Sequence, residues 1–322
     1  MMKYSKFKVL ALALFTAAVF VACSDDEDST PVETEVVDFG TAPASTLLTS
    51  GSVNVITENT VRYHTIDFGT APYTVTIVET AENVVLIDLG PSPDFGDEIK
   101  AYVDVINKPG AVIITHNHGD HYGGAGNFTE LPFYAESTVA EQLNNTEDFT
   151  NLYANEVIGV SGSESIAGLD FTFDKVSNAE TGENGYVTIE SLKTLFSGDL
   201  VYNLSHLYLR EYTPKDGEDE IDNWVAGLNV LKTNFSDYDH LFVGHNGSRT
   251  EVGTAIDENI EYLQKAQGLI KGTETLTNGE TATTAQEVVD ELQLLYPNYK
   301  DGGLFFSLPE SFFPGDPGAD WF

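Results

Sequence analysis

The stretch Ala111-Val112-Ile113-Ile114-Thr115-His116-Asn117-His118-Gly119-Asp120-His121-Tyr122-Gly123-Gly124 joins an apolar run to a loop holding three of the chain's seven histidines. The run from Ala111 to Thr115 is short and almost wholly apolar, as expected of a strand buried on both faces. Imidazole is the commonest side-chain donor to zinc-like ions and carboxylate completes such sets, so four of these groups within six residues form a dense donor array. On extended backbone, the alternation of His116 and His118 sends both rings to one side. Asp120 and His121 follow where the chain turns toward a helix, so they are free to face a second ion. The bland alternative, a solvated histidine-rich turn, does not explain why so much of the histidine is gathered here.

Working outward, Thr74 to Val78 and Val84 to Asp88 read as neighbouring strands around a polar turn at Ala81 to Asn83. A helix fits Asp97 to Asn107, with Ile99, Tyr102, Val103 and Ile106 on one face and Pro109-Gly110 ending it. Downstream, strands are expected near Phe171 to Phe173, Tyr186 to Ile189, Thr194 to Ser197 and His240 to Val243. Helices are expected over Ile221 to Leu231, Ala255 to Leu269 and Thr284 to Leu295. Two clusters of strands, each followed by helices, suggest an α/β chain with two sheets face to face and helices outside. The repeat of Asp38-Phe39-Gly40-Thr41-Ala42-Pro43 as Asp67-Phe68-Gly69-Thr70-Ala71-Pro72 reads as two similar strand-to-turn segments without a function of their own.

The loop resembles the His-x-His-x-Asp-His signature of the metallo-β-lactamase superfamily, and Gly123-Gly124 agrees with it. The resemblance covers about residues 60 to 270 and implies a four-layer αββα sandwich. It also implies further ligands on separate strand ends. Phe196-Ser197-Gly198-Asp199 matches the segment of the bridging aspartate, and Val243-Gly244-His245-Asn246-Gly247 matches that of the last histidine. Nineteen residues before the bridging aspartate the family usually carries Gly-His-Thr, where this chain has Ala179-Glu180-Thr181, and no histidine lies between His121 and His206. Glu180 is expected to replace the missing imidazole, with Glu183 as the alternative and a site of fewer protein donors as the third possibility.

The implied metal set is thus His116, His118, Asp120, His121, Glu180, Asp199 and His245, holding two divalent ions. Zinc is expected first; the carboxylate in place of imidazole brings manganese and iron into range. Asp88 resembles the strand-end aspartate that braces the histidine loop, and His206 is expected to reach the cleft as a substrate contact. Two ions about 3.5 to 4 Å apart share and acidify a water, and Asp120 is the expected catalytic proton acceptor. The resemblance therefore implies a hydrolase cleaving an ester, lactone, amide, or sulfate or phosphate ester in a small molecule. Alkylsulfatases of the superfamily also use glutamate ligands, although their Gly-Thr-Glu-Ala-Pro segment is not reproduced. The alternatives are a non-catalytic metal- or ligand-binding surface lipoprotein and an iron-dependent redox member of the superfamily. Specificity is expected in the loops Asn144 to Ser165 and Tyr202 to Lys215. Serine or cysteine nucleophile chemistry has no support, because Gly-x-Ser-x-Gly is absent and the single cysteine lies near the N-terminus.

That cysteine, Cys23, follows Lys3, Lys6, Lys8 and the largely apolar run Val9 to Ala22, which reads as a signal peptide over residues 1–22. Val21-Ala22-Cys23 resembles the lipobox of bacterial lipoproteins, with Phe20 where Leu is usual. Residues 23–48, opening with Ser24-Asp25-Asp26-Glu27-Asp28, read as a flexible acidic tether ahead of a catalytic domain at 49–322. The expected location is the cell envelope, lipid-anchored through Cys23 in the outer membrane, with the acidic stretch resembling a surface-export signal. The formal net charge of −36 becomes still more negative once the three signal lysines are removed. So acidic a chain repels phosphate backbones, which argues against a nucleic-acid partner.

Overall fold

The buried strand at the centre of the sequence argument shows how the layers arise. In the computed structural model, β1 (Gly51–Thr57), β2 (Arg62–Phe68), β3 (Tyr73–Glu79), β4 (Val84–Ile87), β5 (Gly110–Ile113), β6 (Phe133–Glu136) and β7 (Ile158–Val160) form a seven-stranded sheet in that order. Successive strand residues point to opposite faces. On β4 and β5, Val84, Leu86 and Val112 face one way and Val85, Ile87, Ala111 and Ile113 the other. Both faces are apolar, so both must be covered.

The outer face packs on α1 (Pro93–Ile106), α2 (Gly119–Tyr122), α3 (Ser137–Asn145) and α4 (Glu147–Leu152), through Ile99, Tyr102, Val139, Leu143 and Phe149. The inner face meets a second sheet built from β8 (Gly162–Ile166), β9 (Leu169–Ser177), β10 (Glu183–Ile189), β11 (Thr194–Phe196), β12 (His240–Phe242) and β13 (Ser248–Arg249), ordered β13-β12-β11-β10-β9-β8. Phe171, Phe173, Val187, Phe196 and Phe242 fill the space between the sheets. The alternate residues Tyr186, Leu195 and Leu241 face outward onto α5 (Glu220–Phe235), α6 (Val252–Ile270) and α7 (Ala285–Leu295). The result is the expected four-layer αββα sandwich.

The structure describes residues 36–300 apart from 59, 70–72, 210 and 212–218, together with 307–308, 313 and 319–320. The signal peptide, Cys23 and the acidic start of the tether lie outside the described residues. No helix among the described residues is long and apolar enough to cross a membrane.

Several expected boundaries move. α1 begins at Pro93, four residues before the expected start, because proline is well placed in the first turn, and it ends at Asn107 in the left-handed conformation (φ 55°). The tether expected to run to residue 48 stops short of it. The Arg62 guanidinium donates to the carbonyls of Phe39 and Gly40 and lies over the Phe39 ring, and Leu48 is buried. A buried cation in need of carbonyl and ring partners thus holds this part of the chain against the domain. Within the repeat, the first copy forms no strand, whereas the second begins in β2; residues 70–72 of that copy lie outside the described set. The loop expected at Asn144 to Ser165 contains α4, β7 and most of β8.

Candidate metal centre

β5 runs parallel to both β4 and β6, and β11 runs parallel to β12. The loops that follow β5, β11 and β12 carry the His116 segment, Asp199 and His245. Cross-sheet bonds hold their edges together. Gly185 N–H donates to the Thr115 carbonyl at 3.0 Å, Thr74 N–H donates to the Gly244 carbonyl at 2.8 Å, and His116 forms an isolated bridge with Asn184.

Two glycines make room for this convergence. Gly198 has φ +51°, in the left-handed region, and a Cβ there would meet the Thr115 side chain at 2.8 Å. A Cβ on Gly244 would fall 2.0 Å from Asp199 Oδ1 and 2.7 Å from His121 Cε1.

Two donor groups result. His116, His118, Glu180 and Asp199 form one, and Asp120, His121, Asp199 and His245 the other, with ligand atoms within 4.8 Å of one another in each and Asp199 in both. In the first, His118 Nδ1 lies 3.0 Å from His116 Nε2 and 3.3 Å from Glu180 Oε1, and Glu180 Oε2 lies 3.8 Å from His116 Nε2. In the second, Asp199 Oδ1 is 3.3 Å from His121 Nε2, Asp199 Oδ2 is 2.8 Å from His245 Nε2, and Asp120 Oδ2 is 3.5 Å from both imidazoles.

The three loop histidines are oriented from behind. Asp88, at φ +60° just past β4, accepts the Thr115 N–H on Oδ1, and on Oδ2 the Thr115 hydroxyl and the His121 Nδ1–H, both at 2.8 Å. Since the Thr115 hydroxyl donates to Asp88, its oxygen accepts from His116 Nδ1 at 3.0 Å. His118 Nε2 donates to Glu211 Oε1 at 3.0 Å. Each ring thus turns one nitrogen outward to a fixed partner and the other inward, the orientation of metal-ligating imidazoles. Burial opposes the charge of His118 and His121, but Glu180 outweighs it at His118, and Asp199 and Asp120 at His121, so both rings are held well above their ordinary range.

The buried oxygens complete the argument. Glu180 Oε1 and Oε2, Asp199 Oδ1, Asp120 Oδ2 and His121 Nε2 are buried without a hydrogen-bond partner among the described residues. Unpartnered buried acids are costly, and a cation between them satisfies them together. Burial pushes the Glu180 carboxyl up to about 7, with His118 pulling it back. Burial works against the charge of Asp199 as well, but His245 and His121 outweigh it and hold that carboxyl well below its ordinary range. Burial pushes the His116 imidazole down and keeps it neutral. The donor set fits divalent ions.

The seven expected metal residues are therefore brought together, but Glu183 and His206 are not among them. Glu183, the alternative to Glu180, accepts from Ser177 Oγ and Lys175 Nζ at 2.7 Å each on β9, because the antiparallel register sets it opposite Ser177. His206, expected as a substrate contact, is corrected. It is 2% exposed, its Nδ1 pairs with the Tyr262 hydroxyl at 3.0 Å, its ring lies against Tyr299, and burial pushes it down to about 4. It anchors the loop to α6. Sequence reasoning missed Glu211, Tyr202, which donates to Asp199 Oδ2, and Tyr208, whose ring meets His118 edge-on at 5.6 Å. No motif marks these three.

The family described as Metallo-beta-lactamase superfamily matches residues 69–262. A curated relative from Bacillus subtilis (strain 168), described as probable metallo-hydrolase YybB, is 30% identical over 83 residues, which are 25% of this chain and 37% of that protein. The match thus spans little more than a third of that relative's length. Among solved structures, a metallo-beta-lactamase from Pontibacter korlensis is 19% identical, with a TM-score of 0.52 over 66% of this chain and 99% of its own. A double mutant of the sec-alkyl sulfatase PisA1 is 16% identical, with a TM-score of 0.58 over 81% of this chain and 49% of its own. At such identities the likeness is one of fold.

Proposed function

The chain belongs to the metallo-beta-lactamase superfamily, and from that premise we propose that it is a hydrolase of small molecules working with two divalent metal ions, zinc first. The observation that carries the reading is the pair of donor groups sharing Asp199, each imidazole of the His116 loop turning one nitrogen inward. His116, His118 and Glu180 would hold one ion, Asp120, His121 and His245 the other, and Asp199 both. When bound, such ions supply Lewis acidity and an acidified water for attack on a carbonyl, sulfur or phosphorus centre.

The residues do the rest. Asp120, whose side chain is 18% exposed, is the donor carboxylate that solvent can reach, and it accepts the proton released in the attack. Glu180, fully buried, is screened from solvent, and a cation beside it would favour its charged form. Asp88 and Thr115 hold the outer nitrogens of His116 and His121 and so turn their inner nitrogens toward the donor groups. Glu211 and Tyr208 flank His118 at the outer side.

Sulfate esters belong in the substrate range on one observation: a carboxylate, Glu180, stands where the superfamily usually has an imidazole. We also propose export and anchoring through Cys23, supported by the apolar run and lipobox resemblance before it. Metal analysis of the purified protein with a panel of esters, lactones, amides, sulfate esters and phosphate esters tests the function. Two bound ions with turnover of at least one class are expected, and loss of both metal and turnover in the His116→Ala/His118→Ala double variant. Two bound ions with no turnover anywhere in the panel would favour the non-catalytic binding lipoprotein.

A further inference from the structure

Tyr202 follows Asp199 by three residues and touches Asp199 and His245, the donor residues that follow β11 and β12. Its hydroxyl donates to Asp199 Oδ2 at 2.9 Å. Its ring stacks on His245, with centroids 4.9 Å and planes 12° apart.

Helix α6 fixes where Tyr202 sits. Asn259, 3% exposed, accepts the Tyr202 N–H on Oδ1 at 2.9 Å and donates from Nδ2 to the Tyr202 carbonyl at 2.8 Å. The same Nδ2 also donates to the Ala255 carbonyl at 2.8 Å. An amide bonded on both sides cannot turn without stranding a buried backbone group, so Tyr202 has a single seat.

Asp199 is the residue the two donor groups share. The terminal torsion of a carboxylate is soft, so the direction its two oxygens face depends on what engages them. The phenol O–H and His245 both engage Oδ2, which stands 3.9 Å from His116 Nε2, and this leaves Oδ1 turned toward His121 at 3.3 Å. We propose that Tyr202 is a positioning residue of the metal centre: its hydroxyl fixes the orientation of the Asp199 carboxylate that the two donor groups share, and its ring sets the plane of His245. The proposal rests on reading these groups as a two-metal centre.

Tyr202→Phe isolates the hydroxyl, because phenylalanine fills the same space and keeps the stack on His245. The full-length wild type and variant are compared for zinc affinity by competition with a chromophoric chelator, for the absorption spectrum after cobalt substitution, and for thermal unfolding without metal. The variant is expected to unfold with the wild type, to lose roughly tenfold in zinc affinity, and to show a shifted cobalt band. Unchanged affinity and an unchanged cobalt spectrum overturn the proposal. So does a loss of affinity matched by earlier unfolding of the metal-free variant, which is what a merely structural phenol produces. A wild type that takes up neither zinc nor cobalt overturns the two-metal reading itself, and the proposal with it.

Discussion

Glu211 Oε1 accepts from His118 Nε2 at 3.0 Å, on the opposite edge of the ring from Glu180. Its Oε2 accepts from the Thr181 hydroxyl at 2.8 Å, beside Glu180 in the chain. One carboxylate thus steadies both the imidazole and the turn carrying the glutamate that stands in for an imidazole.

Glu211→Ala should therefore weaken the ion of the His116 group more than the other. The side chain is 45% exposed, so a loss toward the lower end of the tenfold to hundredfold range for such outer partners is expected, roughly tenfold. Stepwise chelator competition reads the two ions separately, and equal weakening of both would argue against this role.

Glu180→Gln keeps the size and removes the charge that binds the cation. One ion should be lost or greatly weakened and the second retained, as measured by metal content under matched supply. Glu183→Gln breaks only a partly exposed pair with Lys175, worth about 0 to 1 kcal/mol, and should leave metal content unchanged. Two full ions in Glu180→Gln would remove Glu180 from the donor set.

Gly244→Ala places a methyl 2.0 Å from Asp199 Oδ1. The backbone must give way, at a cost of about 1 to 3 kcal/mol, and Asp199 serves both groups, so the occupancy of both ions should fall together. Normal metal content in this variant would mean that the loop after β12 relaxes freely.

The His116 loop was legible because its donors lie within one turn of chain and follow an apolar strand, so that spacing alone implies their geometry. Asp199, His245 and Glu180 were legible only through the resemblance. Glu211 and Tyr202 were not legible, because their roles depend on the path of the segment after Asp199 and on Asn259, 57 residues from Tyr202. β2 escaped for another reason: Arg62, His64 and Thr65 occupy buried positions, which erases the apolar alternation that announces a strand. Arg62 and His64 are paired with Glu79 and Tyr102 from elsewhere in the chain, and a local pattern does not show such partners.

The proposed anchoring turns on Cys23, which is the single cysteine of the sequence. Cys23→Ser should shift the protein from the membrane fraction to a soluble or unprocessed form, as read by fractionation and mass analysis. Retention on membranes after signal cleavage would refute anchoring through this residue.

The buried group around Glu79 predicts how stability depends on pH. Glu79 is 1% exposed and accepts from Arg62 Nε at 2.7 Å, His64 Nε2 at 2.9 Å and Lys108 Nζ at 2.7 Å. Burial opposes its charge, but these three donors outweigh it and bring the carboxyl from 4.5 down to about 2. Burial also pushes His64 below its ordinary 6.5, so its ring stays neutral, accepting from Tyr102 and donating to Glu79. Both folded values are depressed, so both contributions have the same sign. The His64 contribution is complete above about 6.5 and declines as the unfolded ring gains a proton below it. The Glu79 contribution is complete above 4.5 and is lost as pH falls toward about 2. Glu79→Gln leaves Arg62 and Lys108 without their counter-charge and should cost about 3 to 5 kcal/mol at neutral pH. Urea unfolding of the metal-free wild type and variant from pH 7 to pH 3 gives two curves, whose difference cancels the titration of the metal donors common to both. That difference should be steady down to about pH 4.5 and shrink below it; a constant difference across the whole range would show that Glu79 is not held as a carboxylate by its three donors.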